Sequence, residues 1–248
     1  PTAFAVRHSR WKSVPRTLVA LLAVLSSAPA AAEQPSLMDA AVNEQKARAL
    51  MRESQYAQAL PLFEKVLAER TRSLGAKHPQ TLATTYDLGS VFYMLGRHAD
   101  ALPHFEKVYQ HSIEVLGERH LSTLASLKNL ALTYENLGRH TEVLALREKA
   151  LRLYTETLGE RHPSSLASLN DLAVTYTDLG RHADALALNE KALRLYTAVL
   201  GERYPDTLRS LNNLALTYAS LGRHSEALAL NEKALRLYTA VLGERHPD

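Results

Sequence analysis

Residues 227–245 read ALALNEKALRLYTAVLGER, and residues 185–203 carry the same letters 42 positions earlier. A stretch that recurs unchanged over such a length belongs to a repeated unit, so the fold depends on what one unit can do and what its neighbours must add. The loop that closes this stretch, LGERHP at 242–247, returns as LGERYP at 200–205, LGERHP at 158–163, LGERHL at 116–121 and LGAKHP at 74–79. Gly96, Gly138, Gly180 and Gly222 keep the same 42-residue step, as do Phe92, Tyr134, Tyr176 and Tyr218. A more divergent copy precedes them, with Ala59, Phe63 and Leu74 in matching slots. These marks predict about five units, at 37–78, 79–120, 121–162, 163–204 and 205–246.

Each unit reads as two helices. In the last, Leu208, Leu211, Leu214, Ala215 and Tyr218 recur at spacings of three and four, the period of an apolar helical stripe. Asp206 or Thr207 is expected to cap its start, with Pro205 just outside, and Gly222 to end it. A second helix is expected from about Ser225, stopped by Gly243, with an apolar face wide enough for both its own first helix and the next unit. Neither stripe can be buried alone, whereas stacked copies bury both. A fully buried leucine is worth about 1.5–3 kcal/mol, so Leu211, Leu214, Leu228 and Leu235 are expected to dominate this unit's packing. Ala215 and Ala227 are expected to let helices approach closely, so that a large side chain there would overpack.

The composition, 46% apolar and 22% charged, is that of a packed protein rather than a disordered tail. A net charge of +3 with both signs mixed through every unit gives no nucleic-acid footprint, and the absence of cysteine removes disulfides, thiol catalysis and cysteine–zinc sites. Eight of the eleven histidines fall in two periodic sets, 78, 120, 162 and 246, and 98, 140, 182 and 224. Histidines one unit apart are separated by about one helix-packing distance, roughly 10 Å, too far to share a metal. Tyr204 occupies the fourth slot of the first set, which suggests a flat ring packed over the joint between units rather than a ligand. Recurring acids such as Glu202 and Glu244 lack the contrasting environments that acid–base pairs require. No phosphate loop, HExxH or nucleophile elbow is present, so no catalytic residue, metal or cofactor is assigned.

The N-terminal stretch differs. Arg7, Arg10, Lys12 and Arg16 precede the apolar run at 18–25, and SSAPAAAEQ follows at 26–34. That order predicts an export signal over 1–32, cut near Ala32, with a retained anchor as the alternative. An exported location, periplasmic or extracellular, follows as an expectation, with membrane contact only through this segment. The array is expected to continue beyond residue 248.

Residues 211–235, LNNLALTYASLGRHSEALALNEKAL, resemble the tetratricopeptide repeat, whose large–small signature falls on Leu211, Leu214, Ala215, Tyr218, Gly222, Ala227 and Ala234. The 42-residue period and the LGERHPD loop resemble the kinesin-light-chain type in particular, over about 37–248. Departures are plain: the aromatic of the second helix survives as Phe63 and Phe105 but becomes Arg147, Asn189 and Asn231, and Val143 replaces a small residue. The first helix of the first unit, AAVNEQKARALMRES, lacks the pattern and suggests an N-terminal cap.

The resemblance implies an all-α superhelical solenoid of antiparallel helix pairs, with first helices lining a concave groove that binds a protein or peptide. Carried onto this chain, the groove candidates are Gln45, Asp87, Asn129, Asp171 and Asn213, with Lys128, Asn170 and Asn212 beside them, together with Tyr86. Asparagine suits such a role because its amide offers both donor and acceptor. The basic positions are scattered, so an acidic C-terminus is not the implied ligand. The alternative is a regulatory or sensing region of a larger enzyme, such as a CHAT-type protease-fold effector, with its catalytic domain beyond residue 248. Bacterial exported proteins with this repeat type are similar in that respect.

Overall fold

The computed structural model describes residues 35–245, and among them ten helices and no strand. They are α1 (Pro35–Arg52), α2 (Tyr56–Leu74), α3 (Pro79–Met94), α4 (His98–Leu116), α5 (Leu121–Asn136), α6 (His140–Leu158), α7 (Pro163–Asp178), α8 (His182–Leu200), α9 (Pro205–Ser220) and α10 (His224–Arg245). The fold is therefore all-α and built of consecutive helix pairs. The expected export signal at 1–32 lies outside the described residues. The chain divides after Gly138 into two compact units. In the first, α2 packs on α1 and α3, and α4 on α3 and α5; in the second, α7 packs on α6 and α8, and α9 on α8 and α10.

The two helix types are buried differently. A first helix such as α3 lies between two second helices and buries eleven of its sixteen residues, from Thr81 through Phe92. Apolar side chains alone do not fill it: the Thr84, Thr85 and Ser90 hydroxyls turn back on their own helix, and Thr81 Oγ1 donates to the Arg70 carbonyl of α2. Thr85 Oγ1 donates to the Thr81 carbonyl at 2.8 Å, and Thr133 and Thr217 do the same to Asn129 and Asn213. These threonines are thus buried with their hydroxyls satisfied. The second helices bury one stripe, for example Ala101, Phe105, Val108, His111 and Ser112 of α4. In the second unit, Leu166 and Leu169 of α7 form a cluster with Ala192 and Tyr196 of α8, against which Leu151 of α6 also packs. Ala215 and Ala227 are both buried, as the close-approach role requires.

Two kinds of turn join the helices. Inside a pair, Gly222 sits at φ +73° while its N–H donates to the Ala219 carbonyl and the Arg223 N–H reaches back to Tyr218 at 2.9 Å. This pair of hydrogen bonds is a Schellman ending, which left-handed glycine makes easy. Arg223 then lies 4.3 Å over the Tyr218 ring and pairs with Glu226. Between pairs, the glycine of the LGER loop ends the second helix in another way. Gly201 adopts φ +86°, ψ 165°, a region nearly closed to residues with a Cβ.

The histidine of that loop has a different job from the expected one. His78, His120 and His162 are N-cap residues, each accepting through Nδ1 from the backbone N–H two residues on, at 3.1–3.3 Å. Tyr204 fills the slot without making a side-chain cap and is 47% exposed. The first helix of the last pair accordingly starts at Pro205, ahead of Asp206 and Thr207. Proline's fixed φ suits the first helical position and holds the preceding residue extended, here at φ −73°, ψ 139°.

Two further expectations fail at the C-terminal end. Leu211 and Leu214 are buried, but Leu228 and Leu235 are exposed. Gly243 does not stop α10, which runs to Arg245. Both have one cause: among the described residues no first helix follows α10 to cover its outer face or fix the reversal.

A Cβ placed on Gly201 meets nothing within 4 Å, so substitution there tests the backbone alone. Gly201→Ala is expected to lower unfolding free energy by about 1–3 kcal/mol in urea denaturation. A change under a few tenths would contradict the strain.

Candidate functional site

The groove candidates all lie on first helices, at two adjacent positions of the 42-residue register, and their environments differ. Gln45 on α1 is exposed; Lys128 on α5, Asp171 on α7, and Asn212 and Asn213 on α9 are half-buried; Asp87 on α3, Asn129 on α5 and Asn170 on α7 are buried.

In the first unit these side chains are woven into contacts between helices. Asn129 donates Nδ2 to Tyr86 Oη at 3.2 Å, leaving its Oδ1 without a partner, and Asn136 donates to Tyr93 Oη at 2.8 Å. Burial pushes the Tyr86 phenol up to about 12, so it stays protonated. Asp87 receives Arg48 of α1 at 2.8 Å, and Arg48 also reaches Glu44 at 2.9 Å. Burial pushes the Asp87 carboxyl up to about 6 against the lowering pull of Arg48. Arg70 of α2, buried at 6% exposure, grips Glu44 at 2.6 and 3.0 Å and donates to Thr84 Oγ1 at 2.7 Å. One buried guanidinium thereby ties α1, α2 and α3 together.

In the second unit Asn170 is 3% exposed, and neither its amide nitrogen nor its oxygen has a hydrogen-bond partner. Such a group costs about 1–3 kcal/mol when left unsatisfied. Asn212 and Asn213 occupy the same register one pair later, and α9 touches α7. The Tyr196 phenol is pushed up to about 12, by burial first and by the charges of Asp206 and Asp171 after it, with Arg209 opposing.

Sequence reasoning missed the reason for the departures at the aromatic slot. Arg147 is buried and donates to the Asp171 carbonyl at 3.1 Å and to Thr175 Oγ1. Asn189, 1% exposed, donates Nδ2 to Thr217 Oγ1 at 2.9 Å. Each polar residue therefore meets a threonine 28 residues ahead, on the first helix of the next pair. Beside this contact Tyr176 Oη and Tyr218 Oη donate to Glu148 and Glu190, at 2.8 and 3.1 Å. The signal was present as a parallel drift: the slot changes Phe63, Phe105, Arg147, Asn189, while 28 residues on the chain reads Val91, Thr133, Thr175, Thr217. His104 stacks on Phe92 at 5.5 Å, and burial lowers its pKa; no group of three or more acidic or histidine side chains gathers as a metal site among the described residues. None of their helices is long and apolar enough to cross a membrane.

The Asp87 shift has a definite sign. With a folded pKa near 6 and an ordinary value of 3.8, the folded chain holds a proton that the unfolded chain releases. That contribution is complete below the ordinary value and is lost as pH rises through about 6. Between pH 5 and 7 the native chain should therefore lose about 1 kcal/mol relative to Asp87→Asn in paired urea titrations. Parallel curves would show that Asp87 is ionised throughout.

The family model described as tetratricopeptide repeat matches residues 38–112, 83–156, 122–198 and 172–240. Among solved structures, the chain resembles a kinesin-light-chain-type protein of Podosopora anserina with nearly identical TPR-like repeats, at 28% identity and TM-score 0.74 over 87% of this chain and 100% of that one. A point variant of that same protein gives 29% identity and TM-score 0.75, covering 86% and 99%. BtubC (BKLC) from P. vanneervenii shares the fold at 19% identity and TM-score 0.70, over 88% and 95%. No curated protein matches the chain by sequence. With matched segments spanning 38–240 and helix pairs in the same order, the chain belongs to the tetratricopeptide repeat family, with kinesin-light-chain-like repeats.

Proposed function

We propose that the chain is a non-catalytic scaffold that holds a protein or peptide partner along the polar edge of its first helices. The observation that carries this reading is the set Asn170, Asp171, Asn212 and Asn213, in one register on the touching helices α7 and α9, with the Asn170 amide unsatisfied. An extended peptide backbone offers alternating donors and acceptors, and an amide answers both. In the first unit Asp87 and Asn129 also hold helices together, through Arg48 and Tyr86. A repeat fold of this kind suits a binder, because its helices supply register and rigidity while the exposed polar positions vary freely. The basic and then apolar N-terminal stretch supports an exported scaffold, periplasmic or extracellular.

Peptides selected by display against the full chain should bind in calorimetry. Replacing both Asp171 and Asn213 with alanine should weaken them about tenfold or more, with the helical circular dichroism unchanged. Undiminished affinity would overturn the assignment of the groove.

A further inference from the structure

One phenol of the first unit has no counterpart in the second, and the groups around it show what the second unit needs in its place. Tyr86 of α3 meets the Phe105 ring of α4 edge to face, with 5.8 Å between centroids. Its hydroxyl accepts from Asn129 Nδ2 of α5 at 3.2 Å, so a single side chain links three helices. Two 42-residue steps on, these positions read Asn170 of α7, Asn189 of α8 and Asn213 of α9. Both rings are gone, and Ala173 in place of Gly89 returns only a methyl group. The two shorter amides are nevertheless interior, Asn170 at 3% and Asn189 at 1% exposure. Asn189 Nδ2 donates to Thr217 Oγ1 at 2.9 Å, but Asn189 Oδ1 and both polar atoms of Asn170 have no partner within the protein.

Interior amides are almost always hydrogen-bonded, and water completes the set where side chains fall short. We propose that the joint of α7, α8 and α9 is a binding site for buried water, centred where Tyr86 places its hydroxyl in the first unit. The water accepts from Asn213 Nδ2, as that hydroxyl accepts from Asn129, and donates to Asn170 Oδ1 and Asn189 Oδ1. About three hydrogen bonds are typical of an interior water. A second water on Asn170 Nδ2 satisfies the remaining donor, in room that the two rings no longer take.

The ligand class follows from the three side chains, neutral amides that each offer a donor and an acceptor, as water itself does. Three helices that the first unit joins through one covalent side chain are here joined through an exchangeable molecule. With Asn170 set this deeply, a peptide in the groove meets its amide through the water and not directly. The inference refines the groove reading at Asn170 without resting on it, since the water belongs to the chain with no partner bound.

The test is water–amide NMR on the full chain, isotope-labelled and without a partner, with rotating-frame spectra separating bound water from proton exchange by sign. Cross-peaks from long-lived water are expected at the side-chain amide protons of both Asn170 and Asn189. Asn170→Leu, close to the native side chain in size, should remove the cross-peak at Asn189 while the helical circular dichroism is kept. Asn189→Leu, read at Asn170, makes the reciprocal measurement. Absence of water cross-peaks at both amides of the native chain overturns the proposal, and that arm needs no variant. An Asn189 cross-peak that survives Asn170→Leu overturns it too, since the water is then not shared. Peptide affinity plays no part in either readout, so this site and the groove fail separately.

Discussion

A first helix of this protein is apolar on two opposite sides, and a single partner helix leaves one of them in water. Leu166 and Leu169 of α7 show the consequence, meeting Ala192 and Tyr196 of their own pair and Leu151 of the preceding helix in one cluster. Each pair is finished only by its neighbour, so stability is shared along the array, unlike in a domain with one centre. Every other feature serves this sharing. The glycine turns reverse the chain with few residues, the histidine caps start the first helices, and the back-bonded threonines let those helices be buried nearly all round.

The joints are alike in geometry and differ in chemistry. At the N-terminal end, where α1 lacks the apolar pattern, charge takes over: Arg70 and Arg48 bind Glu44, Asp87 and Thr84 across three helices. Phe105 fills the same slot as Arg147 and Asn189 further along, and its ring lies where a Cβ on Gly89 would come within 3.2 Å. The Arg147 guanidinium and the Asn189 amide nitrogen each find a hydroxyl on the next first helix, Thr175 and Thr217. These pairs fix which faces belong together among helices that are otherwise near copies.

Most of the architecture was legible because period is a strong signal: helix type, turn glycines and pair order all follow from a step of 42 residues. Periodicity also misled, since it gives every copy the same environment. Leu228 and Leu235 read like Leu186 and Leu193, and only the packed structure separates them. The cap role of His162 was hidden by a shift of two or three residues in the cap position, from Asp206 or Thr207 to Tyr204 in the equivalent copy. At the candidate site, the residue types were readable but their burial was not. Whether Asn129, Asn170 or Asn213 faces solvent depends on side chains from other helices, and a single register says nothing of those.

The Asn189–Thr217 contact also bears on how such an array can lengthen. The unit 205–246 contains both halves of that contact, Thr217 on its first helix and Asn231 on its second. Copied in tandem, it meets itself with the amide nitrogen and the threonine hydroxyl matched. The last unit thus carries on its own first and second helices the two residue types that meet between pairs, within the chain's 19-residue exact repeat at 185–203 and 227–245.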